Sequence, residues 1–220
     1  MKTDIPCINQ LTENALLFTV TQTQDLPAQQ RIWQLVRQLR ELPEAALALQ
    51  EIVPGMGNLM IVCKAEMSSE LPAFADLLQT LWSQSESIAC AGRQLEIPTW
   101  YGGSDGPDLA EVAAHTDLTE TDIIEIHSGA QYQVYCLGFQ PGFAYLGGMD
   151  MRLATPRKTT PRLSTPAGSV GIGGSQTGIY PAISPGGWQI IGRTDLSLFD
   201  IDKSPPCLLQ PGDTIRFLPQ

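Results

Sequence analysis

Hydrophobic positions recur along this chain in two periods, and the change of period marks its organisation. Asn14 to Thr21 is an apolar, partly β-branched run that predicts a first strand. Pro27 then opens a helix over Ala28 to Arg40, with Ile32, Leu35, Val36 and Leu39 at helical spacing. Ala46 to Val53 and Leu59 to Ala65 read as two strands joined by a turn at Pro54-Gly55-Met56-Gly57-Asn58. A second helix spans Leu71 to Gln84, with Pro72 in its first turn and Phe74, Leu77, Leu78 and Leu81 on one face. Leu95 to Tyr101 is the next strand, which completes a β-α-β-β-α-β order, the signature of a ferredoxin-like unit. An alternative assigns that last strand to the second domain, and the boundary is set near Gly92, giving domains 1–92 and 93–220.

Beyond the boundary, Pro107 starts a short helix through His115 with Asp105 as its cap. Thr119-Glu120-Thr121-Asp122 fits a capping box for another, with Leu118 as the staple and Ile123, Ile124 and Ile126 inside. That helix ends at His127-Ser128-Gly129, and Gln131 to Leu137 alternates as a strand. From Tyr135 to Thr194 glycine and proline are so frequent that neither a helix nor a long regular sheet is possible. Short strands joined by sharply specified turns are expected there, with Phe139, Phe143, Tyr145, Tyr180 and Trp188 and the cations Arg157, Lys158, Arg162 and Arg193 between them. Such a mixture either fills a turn-rich barrel or lines an apolar pocket with a few polar anchors. Leu196 to Ile201 and Ile215 to Leu218 read as final strands.

The 220 residues suffice for one large or two small domains. A net charge of -10 and a pI near 4.5 argue against nucleic acid or an anionic membrane as partner. Four of the thirteen Lys and Arg nevertheless crowd between Arg152 and Arg162, which favours a local carboxylate or phosphate site. No basic-then-apolar leader opens the sequence and no apolar run is long enough to span a bilayer, so a cytoplasmic location is expected. Five cysteines without a C-x-x-C read as reduced, mostly buried small hydrophobes.

Gly102-Gly103-Ser104-Asp105-Gly106 matches G-x-S-x-G, but the chain lacks the alternating βα units that a nucleophile elbow needs. Gly168 to Ser175 has P-loop spacing with Gly174 where the lysine should stand, and leaves open only an anion-binding turn. His115 and His127 lack zinc-site spacing. His127 reads either as an imidazolium favoured at a helix C-terminus or as a general acid or base facing the pocket.

Gly138-Phe139-Gln140-Pro141-Gly142-Phe143-Ala144-Tyr145-Leu146-Gly147-Gly148, Pro156-Arg157, Pro161-Arg162, Pro166 to Ile172, Gln176 to Pro181 and Ser184-Pro185-Gly186-Gly187-Trp188 together resemble one family. It is that of the B subunit of the ATP-dependent bacterial 5-oxoprolinase, also called the allophanate hydrolase subunit 1 or sporulation-kinase-inhibitor family. The resemblance is specific over residues 97–219, where Tyr101-Gly102-Gly103, Gly106-Pro107-Asp108-Leu109 and Pro211-Gly212-Asp213 also match, and weaker over 1–92. It implies an α+β chain in which a small N-terminal domain precedes a cyclophilin-like β-barrel. It further implies work with two partners, a larger C subunit of 5-oxoprolinase and its A subunit, in opening 5-oxoproline to glutamate, with ATP and Mg bound by the complex. In that chemistry a lactam is a poor electrophile, and positive charge around a developing phosphoryl group would aid its activation.

From residue type and position, His127 and Arg162 are the candidate catalytic residues. Phe143, Tyr145, Arg157, Gln176, Tyr180 and Trp188 are the candidate substrate-binding residues, and no metal site is expected. Arg157, Lys158 and Arg162 would face a phosphoryl group or the substrate carboxylate, while His127 and Gln176 would hydrogen-bond the amide. One branch of the family is associated with inhibition of a sensor histidine kinase, which is the alternative function. Prolyl isomerisation would rest on fold analogy alone.

Overall fold

The computed structural model describes residues 6–21, 25–87 and 92–220. The chain divides into two compact units, Met1–Cys90 and Ala91–Gln220.

In the first unit, β1 (Cys7–Thr12), β2 (Ala15–Thr19), β3 (Leu49–Pro54) and β4 (Asn58–Cys63) form an antiparallel sheet in the order β1-β2-β4-β3. Between β2 and β3 run α1 (Leu26–Glu41) and α2 (Pro43–Ala48), and α3 (Leu71–Gln84) follows β4. Helix α1 starts where Asp25 accepts the Ala28 amide hydrogen bond at 2.9 Å and Pro27 presets the first turn. Its Ile32, Leu35, Val36 and Leu39 are all buried, against Phe18 and Leu59 of the sheet and Phe74 and Leu78 of α3. The inner face of α3 is Leu71, Phe74, Leu78 and Trp82, whereas Leu77 and Leu81 are only partly buried.

Two expectations change in this unit. Residues 46–53 are not one strand: Pro43 starts a helical turn through the alanines, and the strand begins only at Leu49. Residues 95–101 take no part in the sheet, so the β-α-β-β-α-β order does not hold. The fourth strand is β1, which escapes a sequence reading because it is almost wholly exposed and lacks apolar alternation.

The second unit is a closed barrel. Its strands are β5 (Gln94–Tyr101), β6 (Tyr132–Leu137), β7 (Ala144–Gly147), β9 (Ser169–Gly173), β10 (Gln176–Ile179), β12 (Gln189–Arg193) and β13 (Thr214–Pro219). The order around it is β10-β7-β6-β13-β5-β12-β9, with β5 and β13 parallel and every other pairing antiparallel. Closure leaves no free edge. A two-stranded ribbon of β8 (Arg162–Thr165) and β11 (Ser184–Gly186) lies outside the barrel order.

Helices α4 (Leu109–Thr116) and α5 (Glu120–Gly129) precede β6, and Leu109, Val112 and Ile123 pack into the barrel core with Ile97, Val134, Leu146, Ile172 and Phe217. The capping box is present: Thr119 accepts from the Asp122 amide at 3.1 Å, and Asp122 accepts from the Thr119 amide at 3.0 Å. Asp105 does not cap α4. Asp108 holds the N-cap position, and Asp105 accepts instead from Arg193 Nε at 2.8 Å. No strand forms at 196–201, where Leu196 and Ile201 are exposed and only Phe199 bridges to Cys207.

Cys63 and Cys136 are buried, Cys7 is exposed and Cys207 is intermediate, all as free thiols; Cys90 lies outside the described residues. Among the described residues no helix is long and apolar enough to cross a membrane.

Candidate functional site

Five loops and strands of the barrel unit converge on a cavity of about 300 Å³. The loop before β7 brings Phe139 and Phe143, β7 brings Tyr145, residues 157–161 bring Arg157 and Lys158, and Tyr180 and Trp188 follow β10 and β11. The rings meet edge to face: Phe143 lies 5.1 Å from Tyr145, 5.5 Å from Tyr180 and 5.6 Å from Trp188. Edge-to-face contact sets the positive edge of one ring on the negative face of the next, so the walls hold their positions before any ligand arrives. Glycine makes the packing possible, because a Cβ on Gly173 would stand 2.5 Å from the Trp188 ring and one on Gly186 2.6 Å from the Tyr180 hydroxyl.

Burial pushes the Tyr180 phenol above its ordinary range, against a hydrogen bond from the Trp188 amide and the charges of Arg157 and Arg162. Burial likewise raises Tyr145. Both phenols therefore stay protonated at neutral pH and are available as hydrogen-bond donors.

The cations differ in what holds them. Asp108, with its side chain 4% exposed, accepts from Arg162 Nη2 at 2.5 Å and Lys158 Nζ at 3.1 Å through Oδ1, and from the Ile190 amide at 2.6 Å through Oδ2. Lys158 Nζ also donates to Glu111 at 2.6 Å. Burial alone would raise the Asp108 carboxyl, but Arg162, the Ile190 amide and Lys158 outweigh it and hold the group below its ordinary range. Arg157, by contrast, is exposed, stands over the Trp188 ring with its Cζ 5.8 Å from the centroid, and has no hydrogen bond or ion pair among the described residues. Three cations and two carboxylates leave this side of the cavity with one uncompensated positive charge, and it is on Arg157.

Of the sequence candidates, Phe143, Tyr145, Arg157, Tyr180 and Trp188 thus line one cavity. Arg162 is engaged by Asp108 and is not part of the lining. Gln176, at the start of β10, is also absent from it.

His127 is the clearest correction. It is fully buried in the barrel, with its ring 4.5 Å from that of Phe217, and lies outside the cavity lining. Thr177 Oγ1 donates to the Gly171 carbonyl at 3.0 Å and so accepts from His127 Nε2 at 2.9 Å, which leaves Nδ1 to accept from the Tyr101 hydroxyl at 2.7 Å. Burial drives its pKa down to about 3. It is neither an imidazolium at a helix end nor an acid–base group facing a ligand, because both nitrogens are committed within the core.

Sequence reasoning missed Asp108 as the hub of the cation network, and it counted Phe139 among the pocket aromatics without making it a candidate binding residue. The Asp in Gly106-Pro107-Asp108-Leu109 carried a family signal but no partner, since Arg162 is 54 residues away.

The other motifs are structural. Ser104 sits exposed in a tight turn closed by the Gly106 amide on the Gly102 carbonyl at 2.8 Å. Gly168 to Ser175 spans β9 and the turn to β10, and its Gly168 and Gly174 amides donate to the carbonyls of Tyr180 and Thr155 at 2.7 and 2.8 Å. Those amides are not free to cradle phosphate, and the described residues contain no cluster of three His, Cys, Asp or Glu able to hold a metal ion. No step on this chain is assigned to ATP or magnesium.

The barrel and the α+β unit that precedes it in sequence define a carboxyltransferase-type protein: the family described as carboxyltransferase domain, subdomain C and D, matches residues 6–209. The urea carboxylase of Kluyveromyces lactis shares the fold, with a TM-score of 0.76 at 22% identity over 98% of this chain and 22% of that one. The chain belongs to the 5-oxoprolinase B-subunit family. It is 48% identical to the 5-oxoprolinase B subunit of Escherichia coli O157:H7 over 94% of this chain and 93% of that one. It is 42% identical to that of Haemophilus influenzae over 94% and 95%.

Proposed function

We propose that this chain is the lactam-holding component of a multi-component, ATP-dependent 5-oxoprolinase, acting with a larger C subunit and presenting the ring for opening by the A subunit. The observation that carries the reading is an aromatic-walled cavity with a single uncompensated guanidinium at its rim, in a chain related along its length to proteins named for this activity.

5-Oxoproline is a five-membered ring with one carboxylate and one amide, and each part has a counterpart in the cavity. Arg157 pairs with the carboxylate, since a guanidinium without a carboxylate partner is the strongest anion anchor a protein side chain offers. Phe143 and Trp188 cover the ring methylenes, and the protonated phenols of Tyr145 and Tyr180 donate to the amide oxygen. At about 300 Å³ the cavity sits at the low end of small-molecule sites, roughly 300–1,000 Å³, which suits a single small ring and not a nucleotide.

In the overall reaction, coupled to hydrolysis of ATP to ADP and phosphate by the complex, water adds to the lactam carbonyl carbon, the carbon–nitrogen bond breaks, and the nitrogen takes a proton to become the amine of glutamate. This chain's part is to hold the ring by its carboxylate, polarise the amide oxygen and keep bulk water from it. Asp108 and Arg162 support the cavity's charge from behind the lining.

The test is reconstitution: the chain is mixed with candidate A and C subunits, and ATP-dependent glutamate release from 5-oxoproline is followed with this chain omitted as control. Activity that vanishes on omission supports the reading, and activity independent of the chain sinks it. Suppressed autophosphorylation of a histidine kinase by the chain alone would instead favour the inhibitory alternative, which no feature of the cavity calls for.

A further inference from the structure

Phe139 breaks two rules of residue placement at once. Its backbone φ is +64°, a region that a non-glycine residue with a bulky side chain avoids, and its side chain, a large apolar ring, is 63% exposed. The Gln140 amide donates to the Gly138 carbonyl at 2.7 Å, so Phe139 is the centre of a three-residue γ-turn of the strained kind with positive φ. Glycine would satisfy that turn without the strain, and asparagine adopts positive φ more readily than phenylalanine.

The neighbouring chain is built to hold this conformation. The Phe143 amide closes a second turn on the Gln140 carbonyl at 3.0 Å, with Pro141 at its second position and Gly142 at φ +84° in its third. Gly142 is wedged so close to Leu198, Phe199 and Pro181 that a Cβ there would meet them at 2.9 to 3.2 Å. The Gly138 amide donates to the Phe143 carbonyl at 3.1 Å and shuts the loop at its base. The result directs the Phe139 ring onto the cavity, 5.4 Å from Phe143 and 6.4 Å from Tyr180, edge to face with both. Backbone strain sustained by surrounding structure, at the rim of a cavity, is what a residue selected for its side chain and not for its turn looks like.

We propose that Phe139 is a specificity-determining residue whose ring closes over a bound five-membered lactam as the outer wall of the cavity. This rests on the reading of the cavity as the lactam site. The uncovered area of the ring is what the ligand covers, and the fixed turn sets the height of the wall, so a larger ring or an unfolded chain meets it badly while the five-membered ring fits. Because the wall is set before binding, removing it affects how tightly the lactam is held more than how fast it reacts once held.

The experiment uses the reconstituted complex and compares wild type with Phe139→Ala, Phe139→Asn, Phe139→Tyr and Arg157→Ala. Steady-state glutamate release from 5-oxoproline is measured, with hydrolysis of its six-membered homologue, 6-oxopiperidine-2-carboxylate, as the specificity probe. One lost aromatic contact corresponds to a rise in KM of about three- to tenfold with kcat within about twofold. Phe139→Ala and Phe139→Asn should both show it, the latter although asparagine adopts positive φ more readily, and both should narrow the preference for the five-membered ring. Phe139→Tyr should restore KM. Melting temperatures establish that each variant is folded, and Phe139→Asn keeps the test valid should Phe139→Ala prove unstable. If KM and ring preference are unchanged in both Phe139→Ala and Phe139→Asn while Arg157→Ala raises KM, the cavity is the lactam site and the wall inference is wrong. If Arg157→Ala also leaves KM unchanged, the cavity reading has failed and the inference falls with it.

Discussion

Asp108 and Arg162 are 54 residues apart in sequence and 2.5 Å apart in space, and the carboxylate between Arg162 and Lys158 is almost wholly removed from water. The pair joins the start of α4 to the ribbon strand β8. A carboxylate held below its ordinary pKa stabilises the fold fully above the unfolded value, near 3.9, and that stabilisation is lost as pH falls through the folded value. Asp108→Asn should cost about 2–3 kcal/mol, less than the roughly 3–5 kcal/mol for breaking a fully buried pair, because Arg162 and Lys158 keep some contact with solvent. Urea unfolding of the chain at pH 7 checks the figure, and an unchanged midpoint would show that the cations are held without Asp108.

His127 acts in a different pH window and through the opposite charge. Its folded pKa of about 3 lies below an unfolded value near 6.5, so between these limits the unfolded chain takes up a proton that the folded chain refuses. Stability should therefore fall as pH drops from 6.5, by about 1.4 kcal/mol per unit from this group alone. His127→Gln should lower stability at pH 7 yet flatten the decline between pH 6.5 and 5 in urea titrations. Nitrogen-15 spectra should show the His127 ring as the Nε2–H tautomer, unchanged from pH 8 to 5; titration in that range would place it outside the core.

Arg157 carries the uncompensated charge of the cavity, so its loss should act on binding. Arg157→Ala is expected to raise KM for 5-oxoproline about tenfold or more, with little change in stability because the side chain is exposed. Steady-state kinetics of the reconstituted complex and a thermal melt of the chain separate the two effects.

The cavity's inner wall is fixed by a glycine. Gly173→Ala would place a methyl group 2.5 Å from the Trp188 ring, which Phe143 and Tyr180 prevent from yielding. A loss of about 1–3 kcal/mol is expected from overpacking. Gly129→Ala, where a Cβ meets nothing within 4 Å, should change stability by less than about 0.5 kcal/mol. Equal effects from the two would show that the wall is soft.

Helices α1, α3, α4 and α5 and the capping box of α5 were legible because their signals are local. Pro27, Thr119 and Asp122 act within three or four residues of where they stand, and the spacing of Ile32, Leu35, Val36 and Leu39 needs no knowledge of the partner face. The glycine and proline density of 135–194 likewise announced short strands and turns, and the strands there are three to six residues long. The exposed β1 had no such signal, and the alanine-rich residues 43–48 satisfy strand and helix patterns alike until packing decides.

By itself, then, the sequence determined the four helices of eight residues or more among the described residues, where the chain must turn sharply, and that aromatic and cationic residues are concentrated in one stretch. Tertiary structure decided which of those residues meet. Barrel closure took residues 94–101 from the first unit, drew His127 into the core with both nitrogens satisfied, and set Asp108 against Arg162 and Lys158, leaving Arg157 uncompensated at the cavity. The physical reason is range. Backbone preference and capping are fixed by neighbours in sequence, whereas burial, charge pairing and the tautomer of a histidine depend on groups that only the folded chain brings within a few ångströms.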